Sequence, residues 1–167
     1  MTNNIKLQEV CKQLHIPVVG TTSWPLPIEA REILQESNPC PFTAADIDER
    51  LIGTTDFMPH SAIVCLFPYH VPHEGPTNLS RYTWATDYHL VVTDYLQRLV
   101  DELKTTAPDA SFSIHCDTSP LADRYMAYLA GLGFYGKNKC FINPTWGSYI
   151  VIGTVLTTLE FESNTPM

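Results

Sequence analysis

Residues 61–68 read Ser-Ala-Ile-Val-Cys-Leu-Phe-Pro, and the organisation of the rest of the chain follows from them. A continuous apolar run that ends at a proline is typical of a strand buried on both faces, because a strand with one solvated face would alternate apolar and polar residues. The run therefore predicts a central strand, which other elements must cover on both sides.

Further segments have the composition of strands. Residues 148–157 are apolar and β-branched, and residues 112–116 alternate in polarity. Residues 17–20 fit a short strand or a bend. Strands mixed with helices along one chain predict an α/β (α+β) sandwich, in which a central β-sheet is flanked by helices.

The clearest helix is predicted after Asp87, because apolar residues recur there at helical spacing and polar residues occupy the opposite face. The apolar stripe consists of Tyr88, Val92, Tyr95, Leu96, Leu99 and Leu103. Shorter helices are predicted over residues 1–15, 28–36 and 44–51. Another is predicted to start at Ser119-Pro120 and to end at Gly131, in the left-handed conformation that closes many helices.

The composition excludes several classes of protein. No stretch of the 167 residues approaches the roughly 20 apolar residues that a membrane span needs, and no secretory signal is visible, so we predict a cytoplasmic protein without a membrane attachment. A net charge of -8 makes the chain a poor binder of nucleic acid on its own, because such binding depends on cationic contacts with phosphate. Its cysteines include no CxxC pair, so neither a zinc ribbon nor a self-contained iron–sulfur site is predicted.

Three motifs have alternative interpretations. Residues 131–136 read Gly-Leu-Gly-Phe-Tyr-Gly, but a helix precedes them where a dinucleotide site needs a strand, so a helix cap and a glycine loop are favoured. Residues 87–89 match the start of the DxHxxG motif by which some cobalamin proteins supply a histidine to cobalt, but Val92 stands at the glycine position. Three histidines lack the spacing of a zinc site and are interpreted as solvated loop side chains: His60, His70 and His73.

Asp117 is the strongest candidate for a catalytic group. It follows the predicted strand at residues 112–116, and sites in α/β sheets form where strands end and helices begin. Two roles stay open for this carboxyl. It caps the N-terminus of the next helix, or it donates a proton into a pocket.

Four segments together resemble characteristic stretches of the epoxyqueuosine reductases. Residues 79–89 contain Ser-Arg-Tyr and Asp-Tyr-His, like the family's "SRYA-x-x-x-DYH", and residues 117–124 read Asp-Thr-Ser-Pro-Leu-Ala-Asp-Arg, like "DSAPVLER". Residues 131–138 resemble "GLGWIGKN", and residues 147–153 resemble "GSWFFLG". The order and approximate spacing of the four also match, and the resemblance spans about residues 60–159.

This resemblance implies a fold and an activity. The implied fold is that of the cobalamin domain of reductive dehalogenases and cobalamin-processing chaperones. The implied activity is the reduction of the epoxide of epoxyqueuosine in tRNA to queuosine, with cobalamin bound without a protein ligand on the metal. In the family a ferredoxin-like domain follows and delivers electrons through iron–sulfur clusters.

The resemblance also implies roles for individual residues. Asp117 would be the general acid that protonates the epoxide oxygen, and His89 a polar partner in the same pocket. Four residues fall where the family contacts the corrin and its amides, and a fifth loosely matches a basic position: Ser80, Lys137, Phe141 and Ile152, with Arg50 the fifth. No residue is predicted to bind a metal.

The chain also departs from the family pattern. The acid of the family's "LGE" is replaced by Thr154, and the threonine of "GKNT" by Lys139. The cysteine run that binds the clusters is expected just beyond Met167. We therefore expect residues 1–160 to form one cobalamin-binding, reductase-like domain, and residues 161–167 to be a truncated linker toward a missing iron–sulfur domain.

Without that domain the chain has no electron source, so we expect it to be inactive alone and to meet its tRNA substrate in a full-length form. Two other functions stay open. One is a cobalamin-binding or carrier module without catalysis, and the other is a flavin-dependent reductase. The visible spectrum of added cobalamin separates the first of these from the second.

Overall fold

A computed structural model describes residues 3–36, 47–52, 55–72 and 74–167. Helices and strands are interspersed along the chain, as the mixed sequence pattern predicts. The helices are α1 (Asn3–Gln13), α2 (Glu29–Glu36), α3 (Ile47–Ile52), α4 (Tyr88–Lys104) and α5 (Asp123–Leu129), with a 3₁₀ turn over Arg81–Trp84. The strands are β1 (Val18–Ser23), β2 (Ser61–Pro68), β3 (Phe112–Cys116), β4 (Phe134–Tyr135), β5 (Phe141–Ile142) and β6 (Ile150–Thr157).

Four of the strands form an antiparallel sheet in the order β1-β2-β6-β3. The predicted central strand is confirmed, since β2 pairs on both sides and its first six residues are all buried. The short strands β4 and β5 form a separate hairpin.

Each face of the sheet is covered by helices. One core cluster joins alternate residues of β2, such as Val64, to residues of α2, α3 and α5. The second cluster joins the intervening residues of β2, such as Ile63, to residues of α1 and α4 on the opposite face of the sheet. This three-layer arrangement confirms the predicted sandwich of a sheet flanked by helices.

Helix α4 lies directly on the sheet because β6 has a glycine beneath it. A Cβ atom at Gly153 would lie 2.7 Å from Val92 Cγ1 and 2.9 Å from Leu96 Cδ1, both on the predicted apolar stripe. The close approach fixes the start of α4 relative to β6. The stripe itself is confirmed, with Val92, Leu96, Leu99 and Leu103 buried.

Helix α5 starts later than predicted. It begins at Asp123 with Ala122 as its N-cap, so the prediction of a start at Ser119-Pro120 is wrong. Ser119 forms a turn instead, because its Oγ accepts a hydrogen bond from the backbone N–H of Leu121. The predicted cap is confirmed, since Gly131 has a φ of 70°. Of the helix predicted over residues 44–51, the structure describes the part from residue 47, and residues 44–46 lie outside the described residues.

The segment after β6 folds back along β1. Asn164 accepts a hydrogen bond from the backbone N–H of Thr21 through its side chain, and its own N–H donates to the Thr21 carbonyl. Phe161 is buried in the core beside α1. Among the described helices, none is both long enough and apolar enough to cross a membrane.

Candidate active site

Three chain segments meet at one end of the sheet. Pro68 at the end of β2 pairs with Ile150 at the start of β6, and Cys116 at the end of β3 pairs with Gly153 of the same strand. The loops that follow β2 and β3 and the loop that precedes β6 therefore emerge together. Asp117 is the first residue of one of these loops, as the sequence predicts.

Asp117 occupies an unusual backbone conformation. Its φ is 56°, and the N–H of Thr118 donates to the carbonyl of Cys116 across it at 2.6 Å, which makes a three-residue turn. Positive φ is uncommon outside glycine and costs of order 1–3 kcal/mol, and such residues cluster at functional sites. The cap role is excluded because α5 begins six residues later, and the Asp117 side chain is exposed.

Two side chains from the first turn of α4 contact the same oxygen of Asp117. The hydroxyl of Tyr88 donates to Asp117 Oδ2 at 2.5 Å. His89 Nε2 lies 3.4 Å from that oxygen, and the two rings stack with their centroids 4.1 Å apart. Burial and the hydrogen bond to Asp117 raise the pKa of the Tyr88 hydroxyl, so it stays a donor.

His89 is held from its other side by Asp87. The Asp87 carboxylate accepts from both the backbone N–H of His89 and its ring Nδ1, each at 2.9 Å, and so it also caps α4. The hydrogen bond from His89 lowers the pKa of Asp87, and the same bond raises the pKa of His89. The imidazole is therefore fixed between two carboxyl groups and favours its cationic form.

The second carboxyl oxygen of Asp117, Oδ1, is available to contact a bound molecule. Tyr88 and His89 both contact Oδ2, and no described residue forms a hydrogen bond or ion pair with Oδ1. A carboxylic acid whose Oδ2 accepts hydrogen bonds carries its proton on the other oxygen. The arrangement can thus present an acidic proton on Oδ1 to a molecule above the loop.

A second carboxyl group lies nearby. Burial, and then the charge of Asp117, raise the pKa of Asp123 to about 7, while the charges of Arg124 and Arg50 oppose this. Burial and the charges of Asp117, Asp123 and Asp87 also raise the pKa of the Cys116 thiol to about 11, so the thiol stays protonated.

Aromatic rings extend from Asp117 across the same end of the sheet. Tyr88 contacts Tyr82 edge to face at 5.9 Å, and Tyr82 contacts Tyr69 at 6.3 Å. Tyr69 then contacts Tyr149 at 5.8 Å, and His70 also lies against Tyr149. Tyr82 is 46% exposed and Tyr149 is 41% exposed, so part of this row of rings faces outward. We call these four tyrosines with His70 the aromatic row.

The other residues predicted to contact a cofactor are dispersed. Ser80 is exposed and precedes the 3₁₀ turn that carries Tyr82. Lys137 is exposed in the loop between β4 and β5. Arg50 is half-buried on α3, and its positive charge acts to lower the pKa values of both Asp123 and Tyr135. Helix α3 therefore lies near these two side chains.

Two of the predicted contact residues belong mainly to the core. Phe141 is only 4% exposed, and its ring lies edge to face against Tyr135. Ile152 is half-buried and packs on the same core cluster. Their direct contact with a cofactor stays a prediction, whereas Asp117 and His89 are brought together by the fold.

Sequence reasoning missed three participants: Tyr88, Asp87 and Asp123. Tyr88 was assigned to the apolar stripe, but its hydroxyl reaches Asp117. Asp87 directly precedes the predicted helix, and the preference of aspartate for N-caps is a signal that would have found its capping role. Among the described residues no group of three or more His, Cys, Asp or Glu side chains is placed to hold a metal ion; His73 lies outside them.

Comparisons with known proteins point to one family. The family model "Epoxyqueuosine reductase QueG, DUF1730" matches residues 57–118. Epoxyqueuosine reductase of Gloeobacter violaceus is 37% identical over 95 residues, which are 57% of this chain and 30% of that protein. The aligned residues thus make up about a third of the length of this curated relative.

Solved structures agree over nearly the whole chain. The epoxyqueuosine reductase of Streptococcus thermophilus has a TM-score of 0.84 at 24% identity, covering 100% of this chain and 49% of that one. An epoxyqueuosine reductase solved with an epoxyqueuosine-modified tRNA-Tyr stem loop has a TM-score of 0.83 at 26% identity, covering 98% and 47%. The Bacillus subtilis enzyme, described with its catalytic aspartate loop swung out of the active site, has a TM-score of 0.81 at 25% identity, covering 98% and 47%.

A more distant likeness concerns the fold alone. A reductive dehalogenase whose structure suggests a mechanism for B12-dependent dehalogenation has a TM-score of 0.57 at 14% identity, covering 96% of this chain and 20% of that one. The predicted similarity of fold to reductive dehalogenases is confirmed.

Proposed function

We propose that this chain, which matches the epoxyqueuosine reductase family over the region that these comparisons cover, is the cobalamin-binding part of an enzyme that reduces epoxyqueuosine in tRNA to queuosine. The observation that carries the proposal is the Asp117 carboxyl, held by Tyr88 and His89 at the end of the sheet with one oxygen free. A reductase that opens an epoxide needs an acid at this kind of position, since the oxygen leaves as a protonated group.

The residues beside Asp117 fit a corrin. A flat macrocycle with an apolar body and a rim of amides needs an apolar or aromatic floor and scattered polar groups. The exposed rings of the aromatic row would supply a floor adjoining Asp117, and Ser80, at the start of the 3₁₀ turn that carries Tyr82, would supply a polar group at its margin. Lys137 would contact the corrin amides from the loop between β4 and β5. When bound, the cofactor would supply the electrons for the reduction, while the protein supplies binding, orientation and a proton.

In this proposal Asp117 donates the proton on Oδ1 to the epoxide oxygen. Tyr88 and His89 act as positioning residues, because both fix Oδ2 and thereby turn Oδ1 outward. Asp87 in turn fixes the ring of His89. The turn at Asp117 is a loop and not part of a helix, and the related Bacillus subtilis enzyme has its catalytic aspartate loop described as swung out of the active site. A movable Asp117 would admit substrate and then close on it.

The full reaction needs partners. We propose that tRNA is the substrate of the longer enzyme, as the tRNA stem-loop complex of a relative supports. We also propose that an iron–sulfur domain or protein supplies electrons, that the chain alone is inactive, and that it acts where tRNA is modified, in the cytoplasm. The net charge of -8 supports the need for a second, more basic surface to hold the tRNA.

Cobalamin binding is tested on the chain itself. Hydroxocobalamin is titrated with the protein, and the visible spectrum and retention on a gel-filtration column are recorded. We expect saturable binding of one cobalamin per chain. A flavin that binds while cobalamin does not would favour the flavin-dependent reductase instead and would end this proposal.

Catalysis is tested by Asp117→Asn in a full-length, cluster-containing form of the enzyme, with Asp109→Asn as the matched control. Asp109 lies in the loop between α4 and β3, at the opposite end of β3 from Asp117. We expect Asp117→Asn to lose turnover by about 10²–10⁴-fold, the contribution of a general acid, with cobalamin binding retained. Unchanged turnover would remove Asp117 as the acid, and absent turnover in the parent enzyme would favour a carrier module.

A further inference from the structure

A tryptophan is presented to solvent at the outer end of the aromatic row. Trp146 is 41% exposed in the loop that leads into β6, and its carbonyl accepts a hydrogen bond from the N–H of Tyr149 at 3.3 Å. Tyr149 belongs to the row, so Trp146 lies within one backbone turn of it. The indole therefore extends the exposed aromatic surface beyond the part that is proposed to face a cofactor.

The turn that carries Trp146 is fixed by a buried asparagine. The side-chain oxygen of Asn143 accepts hydrogen bonds from the N–H groups of Thr145 and Trp146, at 3.0 and 3.1 Å. Its side-chain amide donates to the carbonyl of Leu132 at 2.8 Å, and its backbone pairs with Gly147 in both directions. Because these bonds already hold the backbone, a ligand that binds the indole needs little further ordering of the turn.

A cation lies beside the same rings. Arg81 Nη1 donates to the carbonyl of Val71 at 2.8 Å, and the ring of the preceding residue, His70, lies 4.9 Å from the ring of Tyr149. Arg81 forms no ion pair with a carboxylate of the residues that the structure describes. Its charge and its other N–H donors are thus available to an anion. We define the outer patch as the three exposed rings and this cation: Trp146, Tyr149, His70 and Arg81.

Flat rings beside a guanidinium are a combination that binds a nucleotide. An unpaired base stacks on an aromatic ring, and an arginine pairs with a phosphate of the strand. The substrate proposed for the neighbouring site is itself one nucleotide of an RNA strand. Its neighbours in that strand must lie beside the same end of the sheet, where the outer patch is found.

We propose that the outer patch holds a nucleotide next to the one that is reduced, with its base stacked on Trp146 and its phosphate at Arg81. This deepens the proposed function and rests on it, because it names a contact that this chain makes with its RNA substrate away from Asp117. Trp146 and Arg81 are substrate-binding residues in this scheme. Neither takes part in the transfer of a proton or an electron.

The first test uses the chain alone at low salt, with the indole N–H groups of its three tryptophans labelled with ¹⁵N for NMR. A single-stranded RNA of about eight nucleotides is added, and in a parallel titration a matched strand that lacks its bases. The peak that Trp146→Phe removes identifies the Trp146 indole. We expect this peak to shift with the complete RNA and far less with the abasic strand, while buried Trp24 stays unmoved. No shift at the highest RNA concentration, or equal shifts with both strands, would overturn the stacking.

The phosphate contact is tested by Arg81→Gln in the same titrations. This variant should weaken the binding of both strands alike. It should also reduce the slope of log affinity against log salt concentration by about 0.7, the value for one phosphate contact on a single strand. A slope equal to that of the parent chain would remove Arg81 from the proposed site.

The second test uses the full-length enzyme and a stem-loop RNA that contains epoxyqueuosine. Trp146→Ala should raise the KM for this RNA by about 5- to 100-fold, the loss of one stacked base, with kcat and cobalamin affinity unchanged. Trp146→Phe keeps an aromatic face and should raise KM less. Met58→Ala is the matched control, because it removes an exposed apolar side chain that precedes β2 at the opposite end of the sheet, and it should match the parent.

Other outcomes would assign the indole elsewhere and overturn the proposal. A parent KM in Trp146→Ala would mean that no base stacks there. Weaker cobalamin binding would assign Trp146 to the cofactor, and a lower kcat at unchanged KM would assign it to an electron-donating partner. Failure of the proposed function would appear differently, as a chain that does not bind cobalamin or as turnover that does not depend on Asp117, and the RNA titration of the chain alone is independent of both.

Discussion

Replacement of Asp123 by asparagine should change the pH dependence of stability in a predictable direction. The side chain keeps its size but loses its charge, so the contacts of α5 with the sheet are kept. In the native chain the pKa of Asp123 is about 7, against an ordinary value of 3.8. Between these two values the folded protein holds a proton that the unfolded chain releases.

The sign follows from proton linkage. Because the native state binds more protons in this window, the free energy of unfolding falls as pH rises from about 4 to about 7 and stays low above it. At about 1.4 kcal/mol for each pKa unit, the full effect is about 4 kcal/mol. Part of the residue reaches solvent, which screens the charge, so we expect about 2 kcal/mol to be measured.

Urea denaturation of the parent chain and of Asp123→Asn at pH 4.5 and pH 8 measures this quantity. We expect the variant to be the more stable protein by about 2 kcal/mol at pH 8 but only by about 0.5 kcal/mol at pH 4.5. The comparison between the two proteins cancels the histidines and the other carboxyl groups. Equal differences at both pH values would refute the argument that Asp123 is destabilised by ionisation.

Three further changes test other parts of the account. Asp87→Asn keeps an oxygen that can cap α4 but removes the charge beside His89, so the NMR titration midpoint of His89 should fall; an unchanged midpoint would mean that Asp87 does not hold the imidazole. Tyr88→Phe keeps the ring but removes the donor to Asp117, and single-turnover assays of the full-length enzyme should give a slower rate with unchanged cobalamin affinity; loss of binding instead would mean that the Tyr88 hydroxyl serves the cofactor and not Asp117. Leu96→Ala leaves a cavity above Gly153 and should lower the free energy of unfolding by about 2–5 kcal/mol in urea, whereas a loss under about 1 kcal/mol would contradict the close packing of α4 on the sheet.

Much of the fold could be predicted because strong local patterns specify it. The run at residues 61–68 is apolar throughout and ends at a proline, which favours a strand covered on both faces, and the helical spacing of the stripe on α4 predicts the buried side of a helix. Gly131 marked the end of α5 because its conformation is one that glycine adopts without cost. These features depend on neighbours close in sequence.

The start of α5 and the setting of Asp117 could not be predicted in this way. Ser119-Pro120 is an acceptable first turn, but the chain uses Ser119 to close a turn and delays the helix to Asp123. That delay excludes Asp117 as a cap, and Asp117 instead stands in a turn with a positive φ.

The partners of Asp117 were equally inaccessible. Tyr88 lies 29 residues away in sequence, and only the register between β3 and β6, together with the packing of α4, brings the two together. Periodicity assigns Tyr88 to the apolar stripe, but the hydroxyl of a tyrosine can extend beyond the apolar face of a helix and form a hydrogen bond there.

The central proposal is that cobalamin would bind against the aromatic row, beside the carboxyl of Asp117. Cob(II)alamin is paramagnetic, so its binding broadens the NMR resonances of nearby nuclei. In a ¹³C-labelled chain we predict strong broadening of the Asp117 carboxyl and the His89 ring, with the Asp109 resonance unaffected. Broadening at Asp109 that equals or exceeds that at Asp117, with binding shown by the visible spectrum, would contradict the account.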